Sequence, residues 1–80
     1  MKIKLLAFGI AKDIVGGSTS DIEIPTQATV HDVKQILTDQ FPKFEELRKF
    51  SIAVNQEYQE DDFVVNEGDE LVIIPPVSGG

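Results

Sequence analysis

Along MKIKLLAF, Ile3, Leu5 and Ala7 share one parity while Lys2, Lys4, Leu6 and Phe8 share the other. A period of two predicts a strand from Met1 to Phe8 with one apolar face. Its second face begins polar and ends apolar. Ala11 to Val15 can make a helical turn, stopped by Gly16-Gly17. Alternation returns from Ser20 to Ile24, with Ile22 and Ile24 set against Asp21 and Glu23, until Pro25 removes an N–H that a central ladder needs. The two strands read as a hairpin whose Gly-rich connection is too long for a two-residue turn.

The pattern then changes period. Val30, Val33, Ile36, Leu37 and Phe41 recur at helical spacing and give one apolar stripe for a sheet to bury. Thr29 supplies the hydroxyl of an N-cap, and Asp32 is placed to return the bond as a short capping box. Pro42 ends the helix, because the residue before a proline is pushed out of the α region. Phe44 to Lys49 can add a short helical turn. A third strand runs from Ile52 to Val54, followed by a turn at Asn55-Gln56-Glu57 and a brief edge strand around Tyr58. Asn66-Glu67-Gly68-Asp69 reads as a turn with positive φ at the glycine. Leu71 to Ile74 is an unbroken apolar run, which suits a central strand. Strand, strand, helix, strand, short strand, strand closes most simply as an α+β β-grasp, the ubiquitin-like roll: a mixed sheet of four to five strands with one main helix across it. The expected division is a β-grasp domain over residues 1–74 and an extended tail over 75–80.

Composition narrows the function. The 80 residues carry 7 Lys+Arg against 14 Asp+Glu, a net charge of −7. Phosphate backbones and anionic lipid surfaces repel such a chain, so neither nucleic acid nor membrane is expected as a partner. No apolar stretch is long enough to span a bilayer, and a cytoplasmic domain is expected. The chain has no Cys, which excludes disulfides, thiolate metal sites and cysteine catalysis.

Little in the body suggests chemistry. His31 has no second ligand or base near it in sequence and reads as a solvated surface histidine. Asp61-Asp62, with Glu57 and Glu60, lacks the spacing and bend-forming Gly of a calcium loop and reads as a solvated acidic loop, so no metal site is expected. Ser18, Ser20, Ser51 and Ser78 have no His to activate them. Gly16-Gly17 lacks the Lys-Ser/Thr of a phosphate loop.

The end of the chain is different. Pro75 and Pro76 favour an extended path, so the six residues to Gly80 reach at most roughly 19 Å at about 3.1 Å each. Gly79-Gly80 has no Cβ on either residue and can enter a narrow channel. The reactive group is then the α-carboxylate of Gly80. ATP can convert it into an acyl-adenylate, and a sulfide equivalent can displace AMP to leave a thiocarboxylate, a soft nucleophile.

Pro75-Pro76-Val77-Ser78-Gly79-Gly80, preceded by Gly68-Asp69-Glu70 and an apolar strand, resembles the ubiquitin-like sulfur carriers, in particular the small subunits of molybdopterin synthase. Ala53-Val54-Asn55-Gln56 and Phe8 also match, so the resemblance spans essentially the whole chain. It implies a C-terminal thiocarboxylate on Gly80, made by an adenylyltransferase resembling the ubiquitin-activating enzyme, with ATP used by that partner and no cofactor bound by this chain. It implies insertion of the tail into a large catalytic subunit, two carriers and two large subunits forming a heterotetramer that puts sulfur on cyclic pyranopterin monophosphate. The chain alone would then be no enzyme. It also implies an apolar patch on the sheet face away from the helix, which selects Phe8, Tyr58 and Ile74 as partner contacts beside the tail residues, with Val72 a weaker candidate. A carrier for thiamine or tRNA thiolation, or a ubiquitin-like binding module without sulfur chemistry, are the alternatives.

Overall fold

The computed structural model describes residues 1–47 and 50–75. Five strands form one mixed sheet: β1 (Lys2–Ala7), β2 (Thr19–Glu23), β3 (Ser51–Val54), β4 (Glu57–Tyr58) and β5 (Glu70–Ile74), in the spatial order β2-β1-β5-β3-β4. The central pair, β1 and β5, is parallel; every other pairing is antiparallel. Two helices, α1 (Gly9–Val15) and α2 (Val30–Gln40), and a 3₁₀ segment at Pro42–Leu47 lie in the connections. This is the expected β-grasp architecture.

α1 is two residues longer than the periodicity suggests. Phe8 is still extended (φ −132°, ψ 159°), and Gly9, at φ 56°, turns the chain into the helix. A side chain there would strain the backbone, so a glycine between strand and helix has a local reason. β2 starts one residue earlier than expected, because Thr19 pairs with Leu6. Ile24 lies outside the strand but still donates its N–H to the Met1 carbonyl at 2.8 Å.

α2 is held at its start by the predicted capping box. Asp32 N–H donates to Thr29 Oγ1 at 3.2 Å, and Thr29 N–H donates to Asp32 Oδ2 at 2.9 Å. The loop ahead of β5 completes the cap: Val30 N–H donates to the Phe63 carbonyl at 2.9 Å and His31 N–H to the Asp61 carbonyl at 3.0 Å. The N-terminal amides that a helix ordinarily leaves open are thus spoken for. α2 buries Val30, Val33 and Leu37, with Ile36 and Phe41 packed at the margin.

The core lies between the helices and one face of the sheet. It takes Ile3, Leu5 and Ala7 from β1, Leu71 and Ile73 from β5, and Ile52 and Val54 from β3. Phe44 of the 3₁₀ segment closes it, stacked at 5.0 Å on Phe50 and edge-on to Phe41 at 6.1 Å. β3 and β4 are joined by Asn55-Gln56, both at positive φ (52° and 72°), as a primed two-residue hairpin turn requires.

The cap makes a testable contribution to stability. Thr29→Ala is expected to cost about 1 kcal/mol in urea unfolding. The carboxyl of Asp32 is held below its ordinary value, first by the bond from the Thr29 N–H and then by the Thr29 hydroxyl. A depressed carboxyl stabilises the fold above its unfolded-state pKa, and that contribution is lost as pH falls through the lower folded value. Asp32→Asn keeps the acceptor but cannot titrate, so the stability gap between wild type and variant should shrink on acidification through that window. An unchanged gap would show that the charge on Asp32 adds nothing.

Candidate functional site

Among the described residues no helix covers the second face of the sheet, and the strand registers decide what it displays. Leu6 pairs with Val72, Val72 with Ala53 and Ala53 with Tyr58, so these four form a row across β1, β5, β3 and β4. One step further along, Ile74 pairs with Ser51, and the extended backbone of Phe8 places it on the same parity as Leu6. Tyr58 is 70% exposed and Phe8 57%, whereas Leu6, Val72 and Ile74 are half-buried. Ala53 is buried yet lies outside the core cluster, because it sits on this outer face.

The three predicted contacts Phe8, Tyr58 and Ile74 therefore share one face, and the weaker candidate Val72 lies between them. Leu6 and Ala53 complete the patch. Leu6 is on the parity of Phe8, so its place was visible in the sequence; Ala53 needed the register. In the other direction along the strands the same face is charged: Lys4 sits between Asp21 of β2 and Glu70 of β5, and Lys2 opposes Glu23. Lys4 Nζ lies 4.0 Å from Glu70 Oε2.

The apolar half is at the C-terminal end of β5. Because β1 and β5 are parallel, Phe8 and Ile74 are reached at the same end of the sheet, and Pro75 follows directly. Pro76, Val77, Ser78, Gly79 and Gly80, the remaining expected site residues, lie outside the described residues.

Two segments that carry the resemblance meet at the other end of β5. Asn55 donates from Nδ2 to Asp69 Oδ1 at 2.9 Å, and its Oδ1 accepts from the Glu70 N–H at 3.0 Å. The Asn55 N–H donates to the Glu70 carbonyl at 2.8 Å, and Asp69 Oδ2 accepts from the Asn66 N–H at 2.8 Å. One asparagine thus ties the β3–β4 turn to the start of β5. Spacing along the chain gave no sign of it.

His31 is exposed, as expected, but it has a neighbour that sequence distance hid. Its Nδ1 lies 3.9 Å from Asp61 Oδ2, while Lys34 Nζ donates to Asp61 Oδ1 at 2.8 Å. That bond from Lys34 is the main cause holding the Asp61 carboxyl below its ordinary value. The lysine and the histidine thus approach different oxygens of one carboxylate. Among the described residues no three His, Asp or Glu side chains are grouped to hold a metal ion, and no helix is long and apolar enough to cross a membrane.

The architecture defines a ubiquitin-like β-grasp protein whose open sheet face is apolar at the end that carries Ile74 and Pro75. The chain belongs to the ThiS family, whose sequence profile matches residues 5–80. It is 37% identical to the molybdopterin synthase sulfur carrier subunit of Arabidopsis thaliana, over 100% of this chain and 84% of that protein. Among solved structures it is similar to SAMP1 from Haloferax volcanii, with 25% identity, a TM-score of 0.82 and complete coverage of both chains. A chain in the protein–protein complex of subunits 1 and 2 of the molybdopterin-converting factor from Helicobacter pylori shares the fold, at 22% identity, a TM-score of 0.66 and complete coverage of both.

The Asn55 clamp can be separated from the turn it sits in. Asn55→Gly relieves the positive φ but removes both side-chain bonds, and Asn55→Ala adds backbone strain to the same loss. We expect Asn55→Gly to destabilise by about 1–2 kcal/mol and Asn55→Ala by more, measured as urea midpoints. A Gly variant as stable as wild type would show that the clamp contributes nothing.

Proposed function

We propose that this chain is the sulfur-carrier subunit of a molybdopterin synthase. The observation that carries the reading is the likeness to the Arabidopsis carrier subunit over the whole chain, together with a family match that runs through Gly80. The apolar half-face beside Pro75 supports it, since a tail delivered to a partner's active site needs a docking surface close to where it leaves the body.

In this reading the carboxylate of Gly80 attacks the α-phosphorus of ATP on an adenylyltransferase resembling the ubiquitin-activating enzyme, and pyrophosphate leaves. A sulfide equivalent then attacks the acyl carbon, AMP departs, and a thiocarboxylate remains. The charged tail enters the large synthase subunit, where its sulfur passes to cyclic pyranopterin monophosphate. The chain supplies sulfur and docking and catalyses nothing alone. Two carriers and two large subunits make the working heterotetramer, in the cytoplasm where ATP is met.

Leu6, Phe8, Val72, Ile74 and Tyr58 form the docking contacts, with Pro75, Pro76, Val77 and Ser78 as the arm and Gly79 as the narrow link to Gly80. The exposed aromatics are the anchors, since large rigid side chains contribute most when a partner covers them. Phe8→Ala removes a side chain the core does not use, so the variant should fold normally. It should bind the large subunit roughly thirtyfold more weakly, about 2 kcal/mol, in titration calorimetry. Undiminished binding would remove Phe8 from the interface.

Intact mass spectrometry tests the chemistry. After incubation with ATP, a sulfur source and the adenylating partner, the chain should gain the mass of one oxygen replaced by sulfur, located at Gly80. A variant with one residue added after Gly80 should fold normally and gain nothing. If the extended chain still transferred sulfur, the terminal mechanism would be wrong. If the loaded carrier failed to yield molybdopterin from the cyclic precursor, the sulfur would belong to another product, such as thiamine or a thiolated tRNA.

A further inference from the structure

β2 is an outer strand of the sheet, bonded among the described residues only to β1. The bonds of that pair decide which of its backbone groups are already used. Ile24 N–H donates to the Met1 carbonyl and Ala7 N–H to the Ser18 carbonyl, at 2.8 and 3.0 Å. Ile3 opposite Ile22 and Leu5 opposite Ser20 fall between them in the same register. In an antiparallel ladder, residues alternate between pairs that exchange both bonds and pairs that exchange none. Ser20 and Ile22 therefore face β1, while Thr19, Asp21 and Glu23 turn their N–H and C=O groups to the open edge.

The side chains of Thr19, Asp21 and Glu23 are all exposed, on the outer face opposite the buried Ile22. Lys4 of β1 stands across from Asp21 and Lys2 across from Glu23, and the Met1 ammonium lies 3.3 Å from Glu23 Oε2. Among the described residues Asp21 makes no ion pair, Lys4 being the partner of Glu70. The edge thus offers unused ladder bonds in step with two carboxylates.

We propose that this edge accepts an extended cationic segment of another protein as an added antiparallel strand, with Lys or Arg opposite Asp21 and Glu23. Main-chain bonds would supply affinity, and the charges would select the partner. Each carboxylate would then lie between a lysine of β1 and a cation of the partner. A second copy of this chain is the wrong occupant. Antiparallel self-pairing centred on Asp21 puts that carboxylate opposite itself, and acidic edges are a common guard against self-pairing. β1 separates β2 from β5, so a strand added here leaves the backbone beside the chain exit uncovered. The inference does not depend on sulfur chemistry at Gly80.

The test uses the full chain with a short capped peptide that alternates lysine with valine, read by amide hydrogen exchange and NMR titration at millimolar peptide. Added-strand pairing protects the amides of Thr19, Asp21 and Glu23 and leaves those of Ser20 and Ile22 as they were. N-methylation of the peptide's lysines should abolish binding, because those N–H groups face the edge; N-methylation of its valines should not. A glutamate–valine peptide should fail to bind. The double variant Asp21→Asn, Glu23→Gln should weaken binding roughly five- to tenfold. Absence of binding, or binding without protection of those three amides, would overturn the proposal. So would the same protection in the concentrated chain alone, which would make a second copy the occupant.

Discussion

The parallel pairing of β1 with β5 is the constraint on which the rest of the molecule depends. It joins the first strand to the last, so both hairpins and α2 must fit between two strands that lie side by side. A parallel neighbour cannot be reached by a tight turn and needs a crossover. Here that crossover is nearly the whole chain, with α2 carrying it over one face of the sheet. The same pairing brings the C-terminal ends of both strands to one end of the sheet. Phe8 and Ile74, far apart in sequence, come to the same end of the sheet, beside Pro75. Antiparallel pairing of those two strands would have put Ile74 beside Lys2, among charges.

The one-sided cover of the sheet follows from size. A domain of 80 residues buries only about 60% of the surface of its unfolded chain. Both helices are used on the face of Ile3, Leu5, Leu71 and Ile73, and among the described residues no helix is left for the other face. An open face is ordinarily made polar throughout. On this chain the charges are gathered at one end, where Lys2, Lys4, Asp21, Glu23 and Glu70 alternate in sign across strands. The apolar end is confined to a few residues around Tyr58, Val72 and Phe8.

Strand and helix order was legible because each element advertised its period: two for β1 and β2, helical for α2, an unbroken apolar run for β5. The capping box was legible because its two members are three residues apart. Boundaries moved where the pattern was silent, at Gly9, whose positive φ starts α1 early, and at Thr19, whose pairing with Leu6 extends β2. The apolar patch was half legible. Parity identified Phe8 and pointed at Leu6, but Ala53 and the alignment of Tyr58 with Val72 depend on inter-strand register. The Asn55 clamp and the approach of His31 to Asp61 were not legible at all, since each joins segments that only the fold brings together.

The clamp explains why a hairpin turn should carry residues poorly suited to its backbone. Gly would fit positions 55 and 56 with less strain, yet Asn and Gln stand there at positive φ. Asn tolerates this region better than other side chains, and here it also supplies a donor and an acceptor. Those two groups satisfy Asp69 and the Glu70 amide where β5 begins. β5 is thereby gripped by β1 and β3 as far as Ile73 and Ile74, and by Asn55 at its start. A segment that leads out to Pro75 gains from this arrangement. The strand that ends beside Pro75 is thus the one the fold secures from both sides.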